Sequence, residues 1–215
     1  MQNVFKEDII MKNDHIHKLV LAGLLAALAY VVFTFLQIKI PVGPGGATSI
    51  HLGNAVCVLG GLLLGGMYGA IGGAIGLTIS DLMDPVYIVE APKTFILKLC
   101  IGLITGYIAH RLGHISTETD RGKIRKWTIL AASGGLGFNM IFDPLFGYFY
   151  KLLFLGKPMA DLTLFPNMGA TAINAVASAI VSVLVYLALR PVLIKSGLFI
   201  TVPDKKARES TSGSK

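Results

Sequence analysis

The chain consists of long apolar runs separated by short polar segments, and this pattern limits the folds open to it. Six runs occur, at about residues 19–38, 50–64, 66–82, 93–111, 127 to a point within 142–155, and 166–190. A helix needs roughly 20 mainly apolar residues to cross the hydrocarbon core of a bilayer. Helices are the expected spanning element because they satisfy their backbone polar groups without water, and the runs are too long and too uniformly apolar for barrel strands. The sequence therefore predicts an all-α membrane protein with six transmembrane helices.

The low share of charged residues supports a membrane location. Of the 215 residues, 53% are hydrophobic and 14% are charged, whereas soluble domains carry about 25% charged residues. The first run is too long for the apolar region of a signal peptide, so we expect it to be retained as the first span. We expect a cytoplasmic N-terminal segment (1–18), a six-helix membrane domain with an outward-facing binding site (19–195) and a disordered cytoplasmic tail (196–215).

The cationic residues predict the orientation of the chain. Three segments that a six-span arrangement places on one side hold 14 of the 19 lysines and arginines: Lys6, Lys12 and Lys18; Arg111, Arg121, Lys123, Arg125 and Lys126; and Arg190, Lys195, Lys205, Lys206, Arg208 and Lys215. By the positive-inside rule both termini are cytoplasmic, and the chain is a multi-pass protein of the cell membrane. The net charge of +7 is then a topology signal, and no nucleic-acid partner is expected.

Catalytic motifs are largely missing. The sequence contains no P-loop, G-x-S-x-G or H-E-x-x-H motif, so we expect no bound nucleotide, cofactor or metal and no enzymatic activity. One alternative stays open, because Asp81 and Asp84 form a D-x-x-D pair that could hold Mg²⁺ in a membrane-embedded transferase. Such an enzyme would need more acidic ligands and cations than Glu90 and Lys93 supply.

Polar and aromatic residues gather toward the predicted outer side of the membrane. Ionisable and amide side chains in a membrane are costly and mark a site or a pathway by default. A mostly apolar pocket with a few convergent polar groups is typical of a small-molecule site. The candidate substrate-binding residues are Asp84, Tyr87, Glu90, Lys98, Asn139, Asp143, Tyr148, Asn167 and Asn174. For Asn139 and Asn174, hydrogen bonding between helices is an open alternative.

Small residues recur at spacing four in two of the runs. Ala22 and Ala26 lie on one face of span 1, and Ala70 and Ala74 lie on one face of span 3. Small side chains let two helices approach closely. We expect the span 1 face to dock a partner helix, and for span 3 docking and internal packing are both open.

Three longer segments carry a resemblance to a known family. They are "SIHLGNAVCVLGGLLLGGMYGAIGGAIG", "APKTFILKLCIGLITGYIAH" and "LFPNMGATAIN". Together with the short length and the alanine pair in span 1, they resemble the S components of energy-coupling factor (ECF) vitamin transporters over residues 18–195. Within that family, "HLGN" and "APKTFILK" look most like the pyridoxine or hydroxymethylpyrimidine type.

The resemblance implies a function without catalysis. An S component is the substrate-binding subunit of an ECF-type ABC importer and captures a water-soluble vitamin or precursor from outside. It would sit in the lipid bilayer and work with a membrane coupling subunit, met at Ala22 and Ala26, and with two ATPase subunits that consume the ATP. Riboflavin, pantothenate and a queuosine precursor stay open as ligands. A stand-alone small-molecule transporter or channel is the alternative function, followed by the Mg²⁺-dependent transferase.

Overall fold

Helices make up most of the structure. The computed structural model describes residues 2–42, 47–154 and 156–202. Within these residues there are six α-helices: α1 Gln2–Phe35, α2 Gly53–Leu64, α3 Gly66–Met83, α4 Ala91–Tyr107, α5 Arg121–Phe154 and α6 Lys157–Lys195. A 3₁₀ turn, Ile88–Glu90, precedes α4, and a π-helical turn, Ile108–Leu112, continues it. Each predicted apolar run overlaps one α-helix.

Three helical segments of the described chain are long and apolar enough to cross a membrane. They are His15–Phe35, Arg121–Phe154 and Ala160–Lys195. These segments support a multi-pass arrangement. The count of six spans and the cytoplasmic location of both termini stay predictions, and residues 203–215 of the predicted tail lie outside the described residues.

A β-hairpin corrects the all-α expectation. Strand β1, Gln37–Pro41, pairs antiparallel with β2, Ala47–His51, in a register that sets Gln37 opposite His51. The sequence predicted a polar Gly/Pro-rich loop here. Alternate positions on each strand carry isoleucine or threonine, which favour extended backbone, and the hairpin gains further support from contacts with α6 that no local pattern reveals.

Prolines do not end the last two helices. Helix α5 runs through Pro144 to Phe154, and α6 begins at Lys157, about two and a half turns before the predicted start at residue 166. A proline removes one backbone hydrogen bond from a helix. In membrane helices this loss is tolerated because neighbouring helices hold the segment in place.

The alanines predicted to dock a partner contact neighbouring helices of the same chain. Ala22 is 6% exposed, and Ala70 and Ala74 are fully buried. A Cβ atom added to Gly72 of α3 would meet the backbone of Ala22. Ala26 opposes Gly76 in the same way. The small-residue faces thus contribute to the α1–α3 and α3–α4 interfaces. For span 3 this is the internal packing that the sequence left open, and partner docking at these four alanines stays a prediction.

Three connections define what we call the inner end of the bundle. Arg190 of α6 donates hydrogen bonds to the carbonyl oxygens of Ile115 and Glu118, at 3.0 and 2.9 Å. Ser116 donates to the carbonyl oxygen of Val202 at 3.3 Å. Val202 in turn lies beside the α2–α3 turn at Gly65. The hairpin and the α3–α4 connection therefore lie at the opposite end, which we call the cavity end.

Candidate functional site

A polar cavity opens at the cavity end between the hairpin and helices α1 to α6. It encloses about 580 Å³ of space between atoms, including its opening to solvent. Its apolar lining consists of Phe33, Ala47 and Leu77. Its polar lining consists of Thr48, Ser49, His51, Asn54, Asp81, Tyr87, Glu90, Lys93, Thr94, Lys98, Asp143, Asn167, Thr171 and Asn174.

Two buried lysines share one carboxylate on the α4–α5 wall of the cavity. Asp143 accepts from Lys93 through Oδ1 at 3.2 Å and from Lys98 through Oδ2 at 3.1 Å. Lys93 and Lys98 are each 5% exposed. Asn139 lies beneath this pair, and its Oδ1 accepts a further hydrogen bond from Lys98 at 3.1 Å. The ammonium groups are thereby held at fixed positions.

Glu90 extends the same network into the α3–α4 connection. Its carboxylate pairs with Lys93 at 2.7 Å and with the buried Lys151 of α5 at 2.9 Å. Burial alone raises the pKa of Glu90, but Lys93 and Lys151 outweigh this effect and hold the pKa below its ordinary value. Glu90 therefore stays ionised at neutral pH and ties the connection to α4 and α5.

Asn174 joins α6 to the hairpin. Its Oδ1 accepts from the backbone N–H of His51, and its Nδ2 donates to the carbonyl oxygen of Ser49, both at 2.9 Å. The side chain thus satisfies two backbone groups of β2 that have no partner strand on that side. These two hydrogen bonds hold β2 beside the cavity, as those of a neighbouring strand would.

Aromatic rings form a second kind of wall. Phe33 of α1 meets His51 edge to face, with ring centroids 4.5 Å apart, and lies 6.4 Å from the ring of Tyr87. Burial lowers the pKa of His51 to about 3 and raises the pKa of Tyr87 to about 12. Both side chains are therefore neutral at physiological pH, so they can contact an aromatic ligand without adding charge to the cavity.

Six of the nine residues predicted to bind substrate line the cavity: Tyr87, Glu90, Lys98, Asp143, Asn167 and Asn174. Asn139 supports Lys98 from outside it. Asp84 forms an ion pair with Lys39 of β1 and accepts from the N–H of Val86 at 3.0 Å. Tyr148 donates to Asp161 at 3.0 Å, away from the cavity. Whether any of these residues binds substrate stays a prediction.

Sequence reasoning missed several polar residues of the lining. His51 ends β2 and Asn54 lies in the first turn of α2. Both belong to the segment "HLGN", which served only for the family resemblance, and both line the cavity. At the level of the sequence, Asp81 is considered only as half of the D-x-x-D pair, and Lys93 only as a neighbour of that pair. The signal that points to Asn54 and Asp81 is a polar side chain inside an apolar run, the same signal that identified Asn139.

The residues of the D-x-x-D pair do not share a site. Asp81 faces the cavity, whereas Asp84 pairs with Lys39 on the hairpin. Among the residues that the structure describes, no group of three or more His, Cys, Asp or Glu side chains could hold a metal ion. Asp81 and Asp84 therefore do not lie together as a pair of ligands.

Comparison with known proteins adds one finding. The family model described as "ECF-type riboflavin transporter, S component" matches residues 13–191, which is most of the chain. Neither the curated proteins nor the solved structures give a match. The family description names riboflavin, so it gives no support to the pyridoxine or hydroxymethylpyrimidine subtype that the motifs suggested.

Proposed function

Because the chain belongs to the ECF-type riboflavin transporter S-component family, we propose that its cavity captures a heteroaromatic vitamin, with riboflavin as the first candidate. As an S component the chain is the substrate-binding subunit of an ECF transporter and works with an energy-coupling module. We further propose that the chain lies in the cell membrane and captures this ligand from the outer side.

The observation that carries the proposal is the pairing of a buried ion network with an aromatic wall. Lys93 and Lys98 present fixed ammonium groups, and Tyr87 and Phe33 present ring surfaces in the same cavity. Ammonium groups donate to ring nitrogens and carbonyl oxygens, while aromatic rings pack against a flat ligand. A charged network within a membrane domain is costly to keep, which favours a role in binding over a role in packing.

A second candidate is a single-ring ligand such as pyridoxine or hydroxymethylpyrimidine. The two segments that resemble that subtype, "HLGN" and "APKTFILK", both reach the cavity. The first supplies His51 and Asn54, and the second supplies Lys93 and Lys98. A small ring with hydroxyl or amino substituents would suit this dense polar lining.

Calorimetry on the purified chain tests the proposal. Riboflavin, pyridoxine, hydroxymethylpyrimidine, pantothenate and a queuosine precursor are titrated separately, and we expect one of the heteroaromatic compounds to bind with a dissociation constant of about 1 μM or below. Lys98→Met should lower the affinity for that ligand at least about tenfold, because it removes a donor and leaves Asp143 with one partner fewer. A chain that binds none of these compounds at micromolar concentration would contradict the proposal, and so would binding of pantothenate alone, which has no aromatic ring.

The energising partners are part of the same proposal. We assign them as a membrane coupling subunit and two ATPase subunits, which consume ATP while this chain binds none. In liposomes, vitamin uptake should require these subunits. Uptake by this chain alone would instead establish the stand-alone transporter.

We propose that the exposed surface of α1, next to the face that holds Ala22 and Ala26, takes part in docking the partner. Leu19 and Leu24 are 66% and 61% exposed. Gly23 and Ala27 lie one helical turn apart in the same helix, and both are exposed. Two small residues at this spacing let a partner helix approach closely.

A further inference from the structure

Three buried polar atoms around the cavity have no hydrogen-bond partner among the described residues. They are Oδ1 of Asn54, Oδ1 of Asp81 and the hydroxyl of Tyr87. The three residues are 1%, 3% and 6% exposed, and all line the cavity. Buried polar groups in proteins are nearly always paired. Three unpaired groups around one cavity therefore indicate where a ligand supplies the missing partners.

Two of these groups lie on one wall, which we call the α2–α3 wall. Asn54 is in the first turn of α2, and Asp81 is in the last turn of α3. The two helices run antiparallel from the turn at Gly65, and a Cβ atom on Gly53 would meet Leu77, so these two helix ends lie side by side. The lysine network belongs to α4 and α5, so the cavity has two chemically different walls.

The two walls offer opposite hydrogen-bonding character. The unpaired atoms of Asn54 and Asp81 are a carbonyl oxygen and a carboxyl oxygen, and a carboxyl group keeps acceptor capacity in both protonation states. Lys93 and Lys98 on the α4–α5 wall are donors only. Their ammonium groups are directed to Asp143, so they do not satisfy Asp81.

We propose that Asn54 and Asp81 determine specificity by accepting hydrogen bonds from a donor-bearing edge of the vitamin ring, an N–H, amino or hydroxyl group. The α4–α5 wall receives the acceptor atoms of the same ring. The inference rests on the proposed vitamin site and names the ligand chemistry that this site selects. Riboflavin would bring its ring N3–H to the α2–α3 wall, and pyridoxine would bring its ring hydroxyl.

The test combines two variants with donor-blocked ligands. Riboflavin is compared with 3-methylriboflavin, and pyridoxine with its 3-O-methyl ether, by calorimetry on the full chain. The methylated form of whichever parent binds should bind wild type at least about tenfold more weakly. Asp81→Leu and Asn54→Leu should each lower the affinity for the parent vitamin by a similar factor. They should lower the affinity for the methylated form only slightly, because methylation has already removed the same hydrogen bond.

Thermal unfolding of the empty protein separates a binding role from a structural role. Replacing an unpartnered buried polar group by an apolar one of similar size removes a desolvation penalty. At Asp81 this gain is offset by the loss of the hydrogen bond between the carboxyl group and Thr94. The empty Asp81→Leu protein should therefore melt at about the same temperature as wild type, although it binds more weakly. Asp81→Asn, which keeps one acceptor, should retain part of the affinity. Asp161→Asn changes an exposed carboxylate outside the cavity, keeps an acceptor for Tyr148 and should leave both measurements unchanged.

The outcomes distinguish this inference from the proposed function. If wild type binds a vitamin and Asp81→Leu and Asn54→Leu bind it equally well, the inference is overturned and the proposed function stands. Equal further weakening of the parent and its methylated form by the variants also overturns it. A fall in melting temperature that accompanies the loss of affinity makes these residues structural. A wild-type chain that binds no vitamin overturns the function and the inference together.

Discussion

Each carboxylate of the buried ion network is shared by two lysines, and this sharing makes single residues unusually sensitive. Asp143 serves Lys93 and Lys98, while Glu90 serves Lys93 and Lys151. Buried ion pairs gain little net stability, but removing one partner leaves an uncompensated charge in a low-dielectric interior. The loss of one carboxylate here affects two buried cations.

Asp143→Asn should therefore destabilise the protein strongly. We expect a loss of about 3–5 kcal/mol in the free energy of unfolding, measured by denaturation in detergent, because Lys98 loses its ion pair and Lys93 keeps only Glu90. Adding Lys98→Met should recover part of the loss, since it removes the uncompensated charge. The matched control is Asp161→Asn at an exposed carboxylate. An Asp143→Asn protein as stable as wild type would show that the network contributes nothing to folding.

At this scale the sequence indicated which residues are polar in an apolar setting but not which residues lie next to them. Lys98 and Asn174 could be identified because a lone polar side chain in an apolar run is rare. Asp84 could not be separated from Asp81 by spacing, since its partner Lys39 lies on the hairpin, 45 residues away. Tyr148 likewise forms its hydrogen bond with Asp161, outside the cavity, and the sequence does not reveal this pairing.

At the scale of elements, the hairpin is the least expected feature and closes one side of the cavity. Its second strand supplies Thr48, Ser49 and His51 to the lining. It is attached to α6 through Asn174 and to the α3–α4 connection through the Lys39–Asp84 ion pair. The hairpin could not be predicted from the sequence because its strands depend on contacts with Asn174 and Asp84, which are distant in the chain. Glycine and proline also dominate the segment between the strands, which favours a loop prediction.

Asn174→Ala should loosen the hairpin without disturbing the helices. The variant leaves the N–H of His51 and the carbonyl oxygen of Ser49 without partners, at a cost of about 1–3 kcal/mol for each group that stays buried. We expect faster amide hydrogen exchange in residues 47–51 and weaker vitamin binding. Ser178→Ala, one turn further along α6, is the control. Weaker binding with unchanged exchange would assign Asn174 to direct ligand contact instead.

At the scale of the whole molecule, the positions of the helices follow from the sequence, whereas their contacts do not. Each apolar run became a helix because its length and uniform hydrophobicity leave few alternatives. The choice of neighbours depends on shapes that meet only after folding. Ala22 and Ala26 pack against Gly72 and Gly76, although the sequence favoured an external partner. Two small-residue faces in one chain are complementary to each other, and the spacing alone does not tell internal from external packing.

Tryptophan substitutions on α1 separate internal packing from partner docking. Ala27 is exposed, so Ala27→Trp should leave the melting temperature and vitamin affinity unchanged while abolishing uptake in liposomes that contain the coupling module, because the bulky ring blocks close approach of a partner helix. Ala26 opposes Gly76, so Ala26→Trp should overpack the α1–α3 interface and lower the yield of folded protein, a cost of about 1–3 kcal/mol or more. Full uptake by Ala27→Trp would mean that the module docks elsewhere, and normal folding of Ala26→Trp would contradict the tight α1–α3 contact.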